Sequence, residues 1–324
     1  MTHALLARVV RSGFVEGEHH GTAVALDADG SVAAAVGDVD APIFPRSANK
    51  PLQAVAMLRA GLDLDGHLLA LAASSHSGER FHLDGVSRLL AAAGLTVDAL
   101  RNTVSLPLDD DERLAWLRAG RPPSSHAQNC SGKHAAMLVT CVENGWPLDS
   151  YLSPGHPLQA VVAQTVADLA GEPVAAAGVD GCGAPVLAIS TVGLARAFAR
   201  IARAAGRAPE GRVADAVRRH PEWLGGTGRD VTTLLRAVPG LVAKEGAEAV
   251  YAAALPDGRA AAVKVADGGD RARVPVLVAL LRRLGVDVPG SDVPGVDPDA
   301  LDALADVPVL GHGEKVGSVE VVAL

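Results

Sequence analysis

Two apolar runs flank an Asp-Gly turn in the stretch Thr22-Ala-Val-Ala-Leu-Asp-Ala-Asp-Gly-Ser-Val-Ala-Ala-Ala-Val36. Apolar runs on either side of Asp-Gly are typical of a β-hairpin, so we predict strands over 22–26 and 31–36. Towards the N-terminus, residues 4–10 predict another strand, joined to the hairpin by a polar turn that contains His19 and His20. Further strands are predicted late in the chain, over 240–243, 248–255, 260–266 and 317–323.

Helical patterns occupy the middle of the chain. One Ala/Leu-rich helix is predicted from Pro51 to about residue 60, and another over 272–284. The others are predicted over 81–93, 112–118, 134–143, 157–170, 194–205 and 211–219. Strands at both ends around a helical middle predict the α+β class, with a mixed, mostly antiparallel sheet built from both termini. The Gly/Asp/Pro-rich segment 285–299 is predicted to be a loop, so residues 1–324 are predicted to form a single domain with a helical subregion over roughly 80–220.

The composition excludes several classes of partner. A formal net charge of −8 argues against nucleic acid and anionic membrane. Hydrophobic residues make up 49% of the chain and aromatic residues only 3%, which predicts a core of Ala, Val and Leu. No apolar run has transmembrane length, and the first residues lack the pattern of a signal peptide. We therefore expect a cytoplasmic protein whose three cysteines are reduced.

Lysine is scarce in this chain. Of 29 basic residues, 24 are Arg, and the five lysines are Lys50, Lys133, Lys244, Lys264 and Lys315. Arg stays protonated, whereas a desolvated Lys can lose its proton and act as a base. The retained lysines are therefore the first candidates for chemistry, although Lys264 is read as a strand-end residue and Lys315 has no assigned role.

The motif Arg46-Ser-Ala-Asn-Lys-Pro51 places Ser47 and Lys50 three residues apart. Side chains at i and i+3 are neighbours on a helical turn, so the amine can reach the hydroxyl and take its proton if burial or a nearby cation lowers its pKa. Because Pro disfavours the α region for the preceding residue, Lys50 is expected in a tight turn. We predict Ser47 as the nucleophile and Lys50 as its base.

A second serine–lysine pair is predicted from Ser75-His-Ser77 and Lys244-Glu-Gly246. Ser-x-x-Lys hydrolases carry a later S-x-N motif and then a Lys-[Thr/Ser]-Gly strand, in this order. The prediction is that Ser75 pairs with Lys244. The structural alternatives are that Ser75 caps a helix and that Lys244 is a solvated strand end.

Two cysteines lie in Gly-rich segments, Asn129-Cys-Ser-Gly-Lys-His134 and Asp180-Gly-Cys-Gly-Ala-Pro185. The first segment opens a predicted helix, whose free N–H groups can bind an anion. Two thiols with a Lys or His can form a metal site, although Lys is an unusual zinc ligand. The alternative is a pair of buried thiols that pack as small apolar groups. Cys141, in the middle of a predicted helix, is assigned to the core.

Two charged residues, Arg229 and Glu79, each have more than one possible role. Arg229 can bind a substrate carboxylate through two N–H groups, or form an ion pair with Asp230 or another acid. Glu79 can orient His76, hold a substrate ammonium, or be a helix-start carboxylate.

Taken together and in their order along the chain, these motifs resemble those of the asparaginase II family, the rhizobial-type L-asparaginases. The resemblance covers nearly the whole chain and rests on Arg46-Ser-x-x-Lys-Pro51, Ser75-His-Ser-Gly-Glu79, Asn129-Cys-Ser-Gly-Lys-His134, Asp180-Gly-Cys182, Gly228-Arg229, Lys244-x-Gly-Ala-Glu248 and Lys264-x-x-Asp-Gly268. It implies a fold like that of the serine β-lactamases and glutaminases, and a homodimer. The chain departs from the pattern at Gln128, where relatives often carry His or Ser, which leaves the substrate preference open.

The resemblance also implies roles for individual residues. It implies the catalytic pairs Ser47 with Lys50 and Ser75 with Lys244. It implies a zinc ion held by Cys130, Lys133 and Cys182. The substrate site is expected to include Arg46, His76, Glu79, Asn129, His134, Asp180 and Arg229.

The sequence thus predicts an amidohydrolase that converts L-asparagine to L-aspartate and ammonia, with zinc nearby and no organic cofactor. The rival predictions are another Ser-x-x-Lys hydrolase, such as a glutaminase or a β-lactamase-like enzyme, and a non-catalytic protein that binds asparagine for regulation.

Overall fold

The computed structural model of the protein describes residues 3–322. Its strands, in chain order, are β1 (Ala4–Arg11), β2 (Phe14–Leu26), β3 (Val32–Val36), β4 (Pro42–Ile43), β5 (Ala176–Val179), β6 (Pro185–Ser190), β7 (Val242–Gly246), β8 (Val250–Ala254), β9 (Ala260–Val265), β10 (Pro308–Gly311) and β11 (Glu314–Val321).

The α-helices of the described residues are α1 (Lys50–Arg59), α2 (Gly66–Ala72), α3 (Arg80–Ala92), α4 (Asp110–Arg118), α5 (Ser131–Asn144), α6 (Pro157–Ala170), α7 (Thr191–Arg203), α8 (Pro209–Arg219), α9 (Pro221–Leu224), α10 (Asp230–Ala237), α11 (Arg273–Arg283) and α12 (Pro298–Ala305). Short 3₁₀ turns lie at Arg46–Asn49, Val97–Ala99 and Asp270–Ala272.

The main sheet is antiparallel and joins both ends of the chain. Its strand order is β10-β11-β1-β2-β9-β8-β7, and β3 pairs with β2 outside this path. At one junction Ala7 pairs with Val321, and at another Val24 pairs with Ala262. A smaller sheet has the order β4-β6-β5. The predicted α+β class and the antiparallel sheet from both termini are therefore confirmed.

The core is made of small aliphatic side chains, as the composition predicts. Helices α7 and α11 both pack against β2, β8 and β9. Every residue of β8 is buried, whichever face it points to, so the sheet is covered on both sides at this strand, which lies next to the edge strand β7. Cys141 is fully buried in this core, which agrees with its assignment.

The predicted helix positions are close to those of the structure, and the largest errors concern strands. The polar segment predicted as a turn is the first half of β2, which pairs with β1 after a tight turn at Ser12 and Gly13. His19 is therefore buried in a strand, not exposed in a turn. Helix α12 lies partly within the predicted loop over 285–299, and two of the three strands of the small sheet, β5 and β6, lie in the predicted helical subregion. Residue 323, at the end of the predicted strand over 317–323, lies outside the described residues.

Within residues 3–322, none of the helices combines the length and the apolar character that a membrane span needs.

Gly246 allows the edge of the main sheet to touch the turn that carries Ser47. A Cβ atom at this position would lie 2.5 Å from the Pro45 carbonyl oxygen and 3.0 Å from the Ala48 nitrogen. Both neighbours are backbone atoms, which cannot swing aside as a side chain can. Only glycine therefore lets β7 and the turn approach this closely.

We expect Gly246→Ala to lower the free energy of unfolding by about 1–3 kcal/mol, because the added methyl group forces two backbone segments apart. The measurement is urea denaturation. Gly155→Ala is the matched control, since nothing lies within 4 Å of its Cβ position, and it should stay within about 0.5 kcal/mol of the wild type. Equal stabilities of the two variants would show that the contact is not tight.

Candidate active site

A cleft of about 220 Å³ opens where the turn before α1, the loop after α2 and the end of β7 meet. Its walls include Ser47, Ser75, Asn129, Arg229, Glu245 and Arg273. Four of these six are residues that the sequence assigns to the site, while Glu245 and Arg273 are not.

Lys50 is the first residue of α1, and its side chain is 1% exposed. The amine donates to the Ser75 Oγ at 2.9 Å, to the Ser74 carbonyl oxygen at 2.6 Å and to the Cys130 Sγ at 3.1 Å. A buried lysine without partners is strongly destabilising, so three acceptors are what allow this one to be buried. Pro51 is accommodated in the first turn of α1, where a backbone N–H is not required.

The serine that contacts Lys50 is Ser75, whereas the sequence predicts Ser47. Ser47 lies in the 3₁₀ turn and is partly exposed at the cleft. Within residues 3–322, no side-chain hydrogen bond is formed by its hydroxyl. The Lys50 side chain points into the interior instead of along the helix surface, so the amine reaches the loop after α2. The hydrogen bond of the Ser75 hydroxyl is thus with Lys50, while the Lys244 amine bonds to the Glu245 carbonyl oxygen.

Ser75 lies in an extended loop that is held from both sides by backbone hydrogen bonds. The N–H groups of Ser75 and Ser77 donate to the carbonyl oxygens of Leu224 and Gly225, at 3.0 and 2.8 Å. The N–H of His76 donates to the Asn129 carbonyl oxygen at 3.0 Å. The Ser75 hydroxyl is bound by Lys50 and does not cap a helix, since α3 begins only at Arg80. The loop thus fixes this hydroxyl at the cleft.

Lys244 is fully buried, which rules out a solvated strand end. Its amine lies 2.8 Å from the Glu245 Oε2 and donates to the Glu245 carbonyl oxygen at 2.9 Å. Burial, with contributions from Lys50 and Arg229, lowers the pKa of Lys244 to about 8 against the opposing effect of Glu245. The Lys244 side chain therefore changes between its ammonium and amine forms around pH 8, close to neutral pH.

Arg229 faces the cleft and donates to the Glu245 Oε1 at 3.2 Å. Its ion pair is with Glu245, whereas Asp230 pairs with Arg273 at 3.0 Å. Burial alone would raise the pKa of Glu245, but Lys244 and Arg229 hold it below its ordinary value. The Glu245 carboxylate, in the wall of the cleft, thus forms ion pairs with both Lys244 and Arg229.

Arg46 and Asp180 form a second ion pair beside the site. The Arg46 Nε donates to the Asp180 Oδ1 at 2.7 Å, and the same oxygen accepts from the Gly181 N–H at 2.8 Å. Burial alone would raise the pKa of Asp180, but Arg46 and Lys133 hold this pKa below the ordinary value of an Asp carboxyl. Arg46 has a positive φ of 51°, which is costly for a residue with a side chain. This conformation turns the chain into the Ser47 turn.

His76 and Glu79 do not act on each other as the sequence suggests. His76 is fully buried, with its Nε2 2.9 Å from the Ser131 Oγ and its ring stacked on His82. The Glu79 carboxylate accepts from the Thr227 N–H at 2.7 Å and from the Thr227 hydroxyl at 2.6 Å. Glu79 therefore fastens the loop that precedes Arg229.

His134 lies beneath the site. It is fully buried, and its Nδ1 is 2.8 Å from the Tyr151 hydroxyl. Burial, with help from Lys133, holds its pKa well below the ordinary value, so the ring is neutral. Asn129, by contrast, lines the cleft and accepts a hydrogen bond from Gln128 at 3.0 Å. The departure at Gln128 thus bears on the orientation of Asn129.

The structure brings Cys130, Lys133 and Cys182 together. The Lys133 amine donates to the Cys182 Sγ at 3.2 Å, and the Lys50 amine donates to the Cys130 Sγ at 3.1 Å. The neighbouring Cys130 thiol, and then the charge of Lys133, lower the pKa of Cys182, which favours a thiolate. Both cysteines are buried, and they pack apart from the main core.

A zinc ion fits this donor set only if the lysine takes part. Among the residues that the structure describes, no three His, Cys, Asp or Glu side chains are grouped as a metal site would require. With two thiols and one amine, the set has the three protein ligands typical of a zinc site with an open fourth position. The residues present therefore fit zinc, with Lys133 as an unusual third ligand.

The other lysines have structural partners. Lys264 is half-buried and donates to the carbonyl oxygens of Glu248 and Val265, at 2.5 and 2.8 Å. Lys315 forms an exposed ion pair with Asp306 at 2.6 Å. Neither amine contacts the cleft residues named above.

Sequence reasoning missed Glu245, Arg273 and Tyr151. Glu245 stands where Ser-x-x-Lys hydrolases carry Thr or Ser, so the departure from the motif was itself a signal. Arg273 and Tyr151 gave no such signal, because they come from distant segments of ordinary composition.

Comparison with known proteins identifies the family of this chain. A sequence model of the L-asparaginase II family matches residues 7–321, nearly the whole chain. The chain belongs to the L-asparaginase II family. No match was found among the curated proteins.

Solved structures show a more distant similarity. The native form of Mglu has 15% sequence identity and a TM-score of 0.40, over 82% of this chain and 63% of that one. The L-glutamate binding form of Mglu in 4.3 M NaCl has 18% identity and a TM-score of 0.36, over 84% of this chain and 60% of that one. The matched region thus spans less than two thirds of the length of either structure.

We expect Glu79→Ala to lower the free energy of unfolding by about 1–3 kcal/mol, because the Thr227 N–H and hydroxyl lose a charged acceptor. Urea denaturation measures this change. Asp84→Ala is the control, since Asp84 forms only an exposed i,i+4 pair with Arg80, and its loss should cost less than about 1 kcal/mol. An unchanged stability together with a much higher KM for substrate would restore the substrate-binding role of Glu79.

Proposed function

We propose that this protein hydrolyses the side-chain amide of L-asparagine to L-aspartate and ammonia by serine–lysine catalysis. The observation that carries the proposal is the buried Lys50 amine, 2.9 Å from the Ser75 hydroxyl, at a cleft that Ser47 also lines. Membership of the L-asparaginase II family supports an amide substrate.

In the proposed reaction, the Ser47 Oγ attacks the amide carbon. The Ser47 proton passes through the Ser75 hydroxyl to Lys50, which acts as the base in its neutral amine form, because Ser75 contacts Lys50 and also lines the cleft. Ammonia leaves after Lys244, in its ammonium form, supplies a proton. Water then hydrolyses the aspartyl ester on Ser47 by the same groups in reverse.

Charged groups around the cleft are proposed to hold the amino acid part of the substrate. Arg229 faces the cleft with only one of its nitrogens bound to Glu245, so others remain for the α-carboxylate. Asp180 offers a carboxylate, kept ionised by Arg46, for the α-ammonium. Backbone N–H groups near the start of α5 are the proposed donors to the carbonyl oxygen.

We propose that Cys130, Lys133 and Cys182 hold a zinc ion. Zinc bound there supplies a positive charge that can polarise a carbonyl group. The chain's own contribution is to bring two buried thiols and an amine within hydrogen-bond distance and to favour the Cys182 thiolate.

We also propose that the fold is of the serine β-lactamase type. Support comes from the turn that carries Ser47, which precedes the buried helix α1 and touches β7 at the edge of the antiparallel sheet.

We expect Ser47→Ala to lower ammonia release from L-asparagine on the order of 10³-fold or more, because it removes the nucleophile. A coupled ammonia assay measures the rates. Ser87→Ala, a partly buried serine on α3 that contacts His126, is the matched control and should keep wild-type activity. Mass spectrometry of acid-quenched enzyme should locate the acyl group on the Ser47 peptide.

Equal rates for the wild type and Ser47→Ala would overturn the nucleophile assignment, and an acyl group on Ser75 would transfer the role. Glutamine should be hydrolysed about 10–200-fold less efficiently, because one extra methylene shifts the amide. Preferred turnover of glutamine or of nitrocefin would favour the other Ser-x-x-Lys hydrolases. Asparagine binding by calorimetry with no ammonia released would favour a regulatory protein.

We expect the purified wild type to bind about one zinc per chain by equilibrium dialysis and elemental analysis, and Cys182→Ala to lose it, since two donors hold zinc poorly. Cys141→Ala is the matched control, because this third cysteine is buried in the core away from the site and should keep the metal. A wild type without zinc after full loading would remove the metal proposal.

A further inference from the structure

The Glu245 carboxylate is shared between two cations at the wall of the cleft. Its Oε2 is 2.8 Å from the Lys244 amine, and its Oε1 accepts from the Arg229 Nη2 at 3.2 Å. Glu245 is 3% exposed and Lys244 is fully buried. An ion pair buried this deeply costs desolvation that a simple surface strand would not require. Its presence at the end of β7 therefore calls for a function.

The local backbone explains how neighbouring residues can pair. Successive side chains of a strand point to opposite faces, so Lys244 and Glu245 do not meet by default. The Lys244 side chain bends back along its own strand, donating to the Glu245 carbonyl oxygen at 2.9 Å while its amine reaches the Glu245 carboxylate. The contact is possible because the lysine side chain is long and flexible, and the Glu245 carboxylate then holds the Lys244 amine in one position.

The other charged groups around the pair come from four elements. The charges of Lys50, in α1, and of Arg229, which precedes α10, lower the pKa of Lys244. Arg273 of α11 acts on Glu245 and is itself bound to Asp230. From β8, Tyr251 lies opposite Glu245 in the strand pairing. Lys244 is thus surrounded by cations, and Glu245 is the carboxylate in contact with it.

We infer that Glu245 is a positioning residue, which keeps Lys244 in its ammonium form behind the wall of the cleft and holds Arg229 with its other oxygen. This inference deepens the proposed amide hydrolysis and rests on it for its catalytic meaning. The geometry assigns each carboxylate oxygen to one cation, so the two tasks can be separated by experiment.

The direction of the effect follows from the charges. Burial lowers the pKa of Lys244 to about 8, while Glu245 raises it. Lys244 is therefore mostly protonated at pH 7 and loses its proton as the pH rises through about 8. Without the Glu245 charge, the pKa should fall by about 1–3 units, and Lys244 would be mostly neutral at pH 7. If Lys244 protonates the leaving ammonia, activity must decline on the alkaline side of that pKa.

The first test is the pH profile of kcat for L-asparagine. The wild type should lose activity above about pH 8, and Glu245→Gln should move this decline about 1–3 units lower. KM should change less than about threefold, because the amide oxygen of Gln can still accept from Arg229. Glu245→Asp, which keeps the charge, should return the decline towards its wild-type position. Glu210→Gln, in a distant ion pair with Arg59, is the matched control.

The second test reads Lys244 directly and needs no activity. Because the chain has five lysines, protein labelled with ¹³C at lysine Cε gives five signals, which Lys→Arg variants assign. The Lys244 signal should titrate about 1–3 units lower in Glu245→Gln. In Arg229→Gln it should titrate higher, because Arg229 lowers the pKa of Lys244. This second variant keeps the test decisive if Glu245→Gln does not fold.

The outcomes separate the two proposals. An active wild type with an unchanged pH profile and unchanged Lys244 titration in Glu245→Gln would overturn the role of Glu245. Activity that instead rises through pH 8, with the rise moving to lower pH in Glu245→Gln, would show that Lys244 works as a base and would also overturn it. A wild type that hydrolyses neither asparagine nor glutamine would remove the proposed function, while shifted Lys244 titrations would still support the positioning of Lys244 by Glu245.

Discussion

The burial of the Lys50 amino group is the constraint around which the site is built. An amine that is 1% exposed must exchange its water for protein acceptors, and the three acceptors come from the loop after α2 and from Cys130 before α5. Lys50 itself opens α1, so this one group ties three segments together. The loop that carries Ser75 is in turn fixed to Leu224 and Gly225. Moving any of these segments would leave a buried charge without a partner.

Much of the fold follows from periodicity, and the failures have physical causes. The hairpin over 22–36 and the buried late strands are apolar enough to be recognised. The first half of β2 was missed because Phe14–His20 is polar and rich in charge, yet its backbone pairs with β1. Strands β5 and β6 were missed because short apolar runs, Ala-Ala-Gly-Val in β5 and Val-Leu-Ala-Ile in β6, suit several structures equally well. Tertiary pairing decides such segments, and a local pattern does not contain it.

The site was located by the scarcity of lysine, but its contacts were not. Three of the five lysines are buried, at Lys50, Lys133 and Lys244. Which oxygen or sulfur each one reaches depends on how α1, α5 and β7 meet, so the i,i+3 spacing of Ser47 and Lys50 could not reveal the bond to Ser75. Glu245 could have been noticed as a departure from Lys-[Thr/Ser]-Gly. Its partner Arg229 was noticed, although the ion pair between them was not.

The pairing of β1 with β11 also sets the order in which this molecule can be assembled. Almost the whole chain separates Ala7 from Val321, and Val24 pairs with Ala262. Contacts between such distant segments raise the contact order and slow folding. During synthesis, the first two strands leave the ribosome long before their neighbours exist. The segment with Lys50 therefore cannot reach its final contacts until β7 has been synthesised. The nascent chain carries exposed strand edges, which need protection from aggregation until β11 has been synthesised.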